Sequence, residues 1–306
     1  MVVIPNRVRV VVVVSALLAV MIAAQAASAH DVHEPNSGWF QRCSLAKTGY
    51  FDPIVFPGTP EPVGHRHLFF GSTAISYDTT SPSDLQAGEA TCRFEAGTVE
   101  PPDGGNFSSY WIPDLKLRDG TWASGAQVNA YYRKGASSID PHVVKPFPEG
   151  LRMLIRDRNN RQTQVSWFCS GLNGEGNNGI YRERPYDCDP TTPFKYVTAR
   201  ITFPQCGTGA TDSEDHISHM VYADDSGCPS SHPHEFVRLF ITAKYDTSFG
   251  AESQLATHEY EDPAHADPGT GFHADYVEAW QPGTLESFVD ACIRGGINCR
   301  DGDRLP

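Results

Sequence analysis

The eight cysteines constrain the fold of this chain more than any other feature of its sequence. Their number is even, and no Cys-x-x-Cys spacing occurs, which disfavours a zinc site built from them. Four disulfides are therefore expected if the chain folds in an oxidising compartment. The positions are Cys43, Cys92, Cys169, Cys188, Cys206, Cys228, Cys292 and Cys299.

Eight cysteines allow about 105 pairings, and the sequence alone does not exclude the others. We predict pairing in sequence order because of the segments that would be closed. Cys169 to Cys188 spans a Gly- and Asn-rich stretch, and Cys206 to Cys228 spans another loop. The last pair, Cys292 and Cys299, would tie down a C-terminal helix.

The amino terminus indicates export. Arg7 and Arg9 precede an uncharged apolar run over residues 10–24, which is shorter than the roughly 20 residues a membrane span needs. The run leads to Ala27-Ser28-Ala29, a small-x-small cleavage signal. Residues 1–29 are therefore predicted to be a signal peptide, and residues 30–306 a single secreted, extracellular domain. Retention as an uncleaved anchor is the alternative.

The charge of the chain argues against nucleic acid as a partner. The net charge of −13 becomes −15 once residues 1–29 and their two arginines are removed. Phosphate binding depends on clustered Lys and Arg, whereas an acidic surface repels anionic polymers. A neutral or basic ligand suits this average charge better. No linker or internal repeat divides the chain, and no later segment is apolar enough to span a bilayer.

Apolar and polar residues alternate with period two in several segments, which predicts a mainly β fold. The clearest strand covers residues 235–245, and others are predicted over 128–133, 151–156, 164–169 and 196–203. Their spacing favours a single-domain β-sandwich, jelly-roll-like, with long disulfide-tied loops. One C-terminal helix is predicted from Thr284, as its N-cap, to Arg294, with Gly295 as its stop.

Twelve histidines are present, and several occur in tight groups. His65 and His67 are two apart, which on a strand points both imidazoles to one face, as a metal chelate requires. We take His65, His67 and His232 as candidate metal ligands. A second group combines two histidines with a carboxylate, which could orient an imidazole or act as an acid or base. His273 lies two residues before Asp275 and forms a further pair. We take the second group and His273 as the candidate catalytic residues. These residues are Asp215, His216, His219 and His273.

We expect these groups to converge. A sandwich brings distant loops together at one end, so His65, His67, His216 and His219 are predicted to share one pocket. The alternatives are plain structural roles: loop histidines that bond to nearby backbone, and an Asx turn at Asp215. Sequence signatures of zincins, lipases, phosphate loops and dinucleotide-binding folds do not occur.

The segment His65-Arg66-His67-Leu68-Phe69-Phe70-Gly71 resembles the His-x-His-x-Phe-Phe-Gly motif of a secreted family of bacteria and fungi, domain of unknown function nineteen ninety-six. The resemblance continues in order through the segments around Tyr110, Trp167, Asp215 and His273, and covers about Asp52 to Trp280. It implies export, one domain and a histidine-lined centre. Ile155-Arg156-Asp157 departs from the family pattern, which commonly has a glycine there.

Two classes of function remain open. The first is an extracellular enzyme that acts on polysaccharide or cell-wall material, with either a divalent metal that activates water or Asp215 as acid or base. The second is a non-catalytic carbohydrate-binding protein, in which sugar rings stack on Tyr110, Trp111, Tyr131, Tyr132 and Trp167 and the histidines only order the loops. The candidate substrate contacts are Tyr110, Trp111, Tyr132 and Arg152, although aromatic residues more often lie in the core than on a sugar-binding surface.

Overall fold

A computed structural model describes residues 37–94, 104–123, 125–135, 139–155, 165–172, 176–224, 226–258, 271–296 and 299. The expected signal peptide, residues 1–29, and the expected start at His30 lie outside these ranges. Within the ranges, no helix is long and apolar enough to cross a membrane.

Strands dominate the described residues. They are β1 (Gly38–Gly49), β2 (His67–Gly71), β3 (Cys92–Arg93), β4 (Ser109–Pro113), β5 (Leu115–Lys116), β6 (Ala126–Arg133), β7 (Arg152–Ile155), β8 (Val165–Ser170), β9 (Tyr196–Thr202), β10 (Cys206–Gly207), β11 (Met220–Val221), β12 (His234–Glu235), β13 (Arg238–Tyr245), β14 (Gln254–Leu255) and β15 (Ala274–Val277). The helices are α1 (Pro82–Gln86) and α2 (Thr284–Phe288), with 3₁₀ turns at Pro141–Val143 and Ala256–His258.

One antiparallel sheet organises the chain, in the order β7-β15-β4-β2-β1-β6-β13-β9-β8, with β3 paired to β1. The sheet curls, so that its two halves face each other across a core. Trp167 on β8 packs 5.2 Å from Phe272, measured between ring centroids, and the Tyr245 hydroxyl on β13 donates to the Pro113 carbonyl oxygen on β4. The expectation of a mainly β, sandwich-like fold is confirmed.

The period-two pattern explains which face is inside. On β13, Leu239, Ile241, Ala243 and Tyr245 are almost fully buried, whereas Phe240 between them is half-buried. The inward residues form the main core. Its centre is aromatic: Trp39 stacks on Tyr132 at 4.9 Å between centroids. Burial of such large rings is the chief stabilising contribution of this core.

A smaller core lies on the opposite face of the sheet, over β2, β4, β7 and β15. Those strands contribute Phe69, Trp111, Leu154 and Val277 to it. The two segments that flank β2, between β1 and β3, cover these side chains with their own apolar residues. These are Phe51 and Ile54 before β2, and Ile75 and Leu85 after it. The strands of this half are therefore apolar on both faces, which is why Leu68, Phe69 and Phe70 are consecutive and all buried.

The strands found match the predicted segments to within a few residues, with one interruption. The segment predicted over 235–245 divides into β12 and β13, because the intervening amides bond elsewhere. Phe236 N–H donates to the Gln205 carbonyl oxygen, and Val237 N–H donates to that of Lys145. Residues 156 and 164, the predicted ends of two strands, lie outside the described ranges.

The C-terminal helix also forms over the expected residues but with different geometry. It begins as α2 and continues as a π-helix over Val289–Arg294. Gly295 N–H bonds to the Asp290 carbonyl oxygen, a five-residue spacing that marks the π turn. The N-cap is Gly283, at φ 80°, and not Thr284. The short helix α1 was not expected from the sequence.

All four disulfides join the cysteines in sequence order, as predicted: Cys43–Cys92, Cys169–Cys188, Cys206–Cys228 and Cys292–Cys299. The first links directly paired positions on β1 and β3. The others close the loops that suggested the pairing.

Both ends of the sheet are covered by hydrogen bonds from loops. At β7, Arg152 N–H donates to the Thr211 carbonyl oxygen. At β8, Trp167 exchanges two backbone hydrogen bonds with Arg182, and Asn178 N–H donates to the Cys169 carbonyl oxygen. The backbone groups of the edge strands are thus partly satisfied within the chain.

One buried carboxyl group has no favourable partner. Glu235 is 6% exposed, and its Oε1 has no hydrogen-bond partner among the residues that the structure describes. Its Oε2 lies 2.8 Å from Cys228 Sγ, which cannot donate a hydrogen because it belongs to a disulfide. Burial raises the pKa of Glu235 to about 7.

This raised pKa predicts a loss of stability as pH rises. Between the ordinary pKa of glutamate and about 7, the folded chain holds a proton that the unfolded chain has released. The free energy of unfolding should therefore fall as pH rises through this window. The neutral variant Glu235→Gln should show a smaller fall, measured as melting temperature against pH. Exposed Glu214→Gln is the control, and an unchanged slope in Glu235→Gln would contradict the prediction.

Candidate metal centre

Three histidines from distant parts of the sequence meet at the edge of the smaller core. His65 lies two residues before the start of β2, His67 is the first residue of β2, and His273 directly precedes β15. Nε2 of His273 lies 3.3 Å from Nε2 of His65 and 3.2 Å from Nε2 of His67. We call these three residues the three-histidine centre.

Backbone carbonyl groups orient two of the rings. His67 Nδ1 lies 2.9 Å from the Phe51 carbonyl oxygen, and His273 Nδ1 lies 3.0 Å from that of Gly271. A carbonyl oxygen only accepts hydrogen bonds, so each Nδ1 carries the hydrogen. In the neutral ring, Nε2 is then the nitrogen with the lone pair. Two lone pairs consequently face each other across 3.2 Å.

The environment of His67 disfavours the protonated, charged form of its ring. It is 1% exposed. Burial, followed by the charge of His273, lowers the pKa of His67 to about 3. His67 is therefore neutral at neutral pH, which is the form that binds a metal.

Carboxylates lie beside the histidines. Asp275 is fully buried on β15, and its Oδ2 is 3.7 Å from His273 Nε2. Ligand atoms of Asp52, His67 and Asp275 all lie within 4.8 Å of one another. Asp52 Oδ1 also accepts the amides of Ile54 and Val55, which fixes the turn after Phe51. This negative charge favours a cation at the centre.

The segment that carries His65 and His67 is held from its other side. Arg66 Nε donates to Asp114 Oδ2 at 2.7 Å, and the Asp114 side chain is 1% exposed. The Arg66 guanidinium lies over the Trp122 ring, 5.4 Å from its centroid. With Arg66 anchored on this side, both flanking imidazoles face the centre.

The other predicted histidines lie elsewhere, so the expected pocket of His65, His67, His216 and His219 is replaced by one that contains His273. His219 is buried, and its Nε2 donates to the Arg152 carbonyl oxygen at 2.7 Å while Nδ1 contacts Ser213. His216 Nδ1 bonds to Asp212. Among the described residues, neither belongs to a group with metal-ligand spacing.

His232 and Asp215 also have structural contacts. The ring nitrogens of His232 contact Ser231 Oγ and the Ser218 carbonyl oxygen, so His232 is no part of the three-histidine centre. Asp215 forms the Asx turn that was the alternative interpretation: its Oδ1 accepts the amides of Ser218 and Ile217. These hydrogen bonds hold the pKa of Asp215 well below its usual range, which makes it a poor acid or base near neutral pH.

The expected substrate contacts are corrected by burial. Tyr110, Trp111 and Tyr132 are 0% exposed, so none can stack on a sugar ring. Tyr110 and Tyr132 instead hydrogen-bond to each other in the main core at 2.6 Å. Arg152 is half-buried, and its guanidinium donates to the Thr80 carbonyl oxygen.

Asp52 and Asp275 are the residues at the centre that the sequence interpretation left out. The signal for Asp275 was present, because period two places it on the same face of β15 as His273. Asp52 gave no such signal, because it lies in an irregular segment and approaches His67 only through the fold.

His219→Ala should therefore destabilise the fold without affecting the three-histidine centre. The change removes two hydrogen bonds of a buried ring and leaves a cavity, so we expect a loss of about 2–3 kcal/mol in the free energy of unfolding. Half-buried His232→Ala should lose less than about 1 kcal/mol. Denaturant titration measures both. A stable His219→Ala variant that no longer binds metal would place His219 in the site after all.

Comparisons with known proteins bear on the whole of this region. The model of a family described as Domain of unknown function (DUF1996) matches residues 52–280, a range that includes all three histidines of the centre together with Asp52 and Asp275. No match was found among curated proteins or among solved structures. The family match covers more than half of the sequence, and the chain belongs to the family Domain of unknown function (DUF1996).

Proposed function

We propose that this chain is a secreted enzyme that binds one divalent metal ion at His65, His67 and His273 and hydrolyses polysaccharide or cell-wall material there. The observation that carries the proposal is the convergence of three Nε2 atoms. Two nitrogens bound to one zinc at about 2.0–2.1 Å, with a tetrahedral angle between them, lie about 3.3 Å apart. The separations of 3.2 and 3.3 Å fit this spacing.

The tautomers add a second argument. Lone pairs on His67 and His273 that face each other repel, and a cation between them removes the repulsion. A proton could also do so, but burial opposes a charge on the His67 ring. A metal satisfies three nitrogens together, and the buried carboxylate of Asp275 nearby offsets its charge.

The chemistry follows from the number of protein ligands at the centre. Three protein nitrogens leave room in the coordination shell of zinc, as in catalytic sites. A metal held by His65, His67 and His273 would lower the pKa of a bound water and so supply a nucleophile at neutral pH. Asp275, 3.7 Å from His273, is placed to orient that water or to accept its proton.

The proposal of export rests on the amino-terminal sequence pattern and agrees with the four disulfides. The proposed substrate class follows from export. A secreted hydrolase meets polysaccharides and cell-wall polymers. The competing proposal is a non-catalytic protein that stacks sugars on Tyr110, Trp111, Tyr131, Tyr132 and Trp167. It loses most of its support because all of these rings except Tyr131 are buried.

Metal analysis tests the centre directly. The purified chain should bind about one zinc ion, measured by calorimetry and by elemental analysis after dialysis. His65→Ala and His67→Gln should weaken binding by at least about a hundredfold, since each removes one ligand. His232→Ala is the matched control and should bind as the unaltered chain does. Folded variants that keep full affinity would contradict the proposal and favour a shared proton.

Activity is a separate test. Hydrolysis of a panel of soluble polysaccharides and cell-wall preparations, measured as release of reducing ends, should disappear with a chelator and return with added zinc. His67→Gln should be inactive and His232→Ala active. Metal binding without any release of reducing ends from the panel would leave a metal-binding protein and would rule out the hydrolase.

A further inference from the structure

A patch of aromatic rings and arginines lies on the outer face of the sheet, opposite the main core. Phe40 on β1, Tyr131 on β6 and Phe240 on β13 form one row, with centroids 5.2 and 4.6 Å apart and nearly parallel planes. Arg200 and Arg238, on β9 and β13, flank the row. We call these five residues the outer patch, and all five are half-buried.

Among the described residues, no carboxylate pairs with the arginines of the outer patch. The Arg200 guanidinium lies over the Phe240 ring, 4.2 Å from its centroid. The side chains of Arg200 and Arg238 form no ion pair or hydrogen bond with any residue that the structure describes. On the strands themselves, the outward positions of β6, β9 and β13 include no Asp or Glu.

Arg238 of the outer patch also has like charges near it. Arg238 is directly opposite Arg133 in the register of β13 and β6, and like charges in such pairs are destabilising. Burial and the charge of Arg200 together lower the pKa of Arg238. An arrangement that lowers stability and gives the guanidinium groups no acceptor among the described residues is expected where an anion binds.

The structure therefore points to a binding surface for an acidic polysaccharide, one whose sugar rings carry carboxylates; we propose this as a function separate from the three-histidine centre. Guanidinium groups bind carboxylates through two parallel hydrogen bonds. The edges of the stacked rings offer an apolar ridge to the C–H faces of the sugar rings. Polyphosphate has no apolar face to match this ridge.

Nucleic acid fits the outer patch less well. The three rings stack on one another, and Arg200 covers Phe240, so stacking within the row leaves at most the far face of Phe40 for a base, whereas single-strand binding stacks successive bases on separate rings. The net charge of −13 does not exclude an acidic polymer locally. At physiological salt, charges beyond about 8 Å are largely screened, so the positive charge of the outer patch itself determines whether an acidic polymer is attracted there.

Binding of polygalacturonate tests the proposal. The unaltered chain should bind it measurably by calorimetry at about 0.05 M salt and more weakly at about 0.15 M, and should not bind neutral dextran. The double variant Arg200→Gln/Arg238→Gln should bind at least about tenfold more weakly, because charge-assisted hydrogen bonds are lost. Its melting temperature should not fall, since like charges are removed.

A matched control exists on another part of the surface. Arg118 also lies over an aromatic ring, that of Phe249, at 5.6 Å, and its side chain is 61% exposed. Arg118→Gln should bind polygalacturonate as the unaltered chain does. His67→Gln should also keep full binding, which separates this surface from the metal centre.

Three results would overturn the proposal. They are no binding of polygalacturonate by the unaltered chain, equal loss in Arg118→Gln and the double variant, and equal or tighter binding of polyphosphate or duplex DNA. The last would indicate a general anion surface. None of them bears on zinc binding by the three histidines.

Discussion

A sheet has two faces, and this chain covers them differently. The concave face of the curled sheet is filled along its length by the main core, whereas the other face carries the smaller core over only one half. The rest of the structure follows from this division. His67 and His273 lie on the half that the segment between β1 and β3 covers, so they are shielded from water. The outer patch lies on the other half, over which the described residues form no second apolar core.

Shielding explains why the same residue type behaves differently along the chain. Water is replaced around His67 by Phe51, Phe69 and neighbouring rings, so a charge there is unfavourable and the lone pair is held ready. His219 is just as buried, but both of its nitrogens are engaged by a carbonyl oxygen and a hydroxyl. Burial alone therefore does not make a histidine a metal ligand, because the ring must also keep one nitrogen free and directed toward the metal site.

The sequence predicted the features that depend on local pattern. Alternation predicted the inward face of β13, and the cysteine positions predicted the disulfides. The His-x-His spacing predicted that His65 and His67, two of the three histidines of the centre, face the same way. What it could not predict depends on contacts between distant segments. His273 and Asp275 join His67 because β15 and β2 both pair with β4. Tyr110 and Trp111 were considered as candidate sugar contacts. Their burial was not evident, because a strand with two covered faces shows no alternation of apolar and polar residues.

Average charge was equally uninformative about local charge. A strongly acidic chain suggested a neutral or basic ligand, yet alternation on three neighbouring strands collects arginines on one face and places no carboxylate among them. Such a grouping is a property of strand register, since a shift of one residue would have sent the same side chains into the core.

The covered edges of the sheet determine how copies of the chain meet. An open row of backbone donors and acceptors invites a strand from another molecule, and repetition of that step builds fibres. Here Thr211 and His219 bind backbone groups of β7 on one side, while Arg182 and Asn178 bind those of β8 on the other. The edge strands are thereby partly covered at both ends of the sheet. Growth of a fibre by strand addition would first require one of these loops to detach.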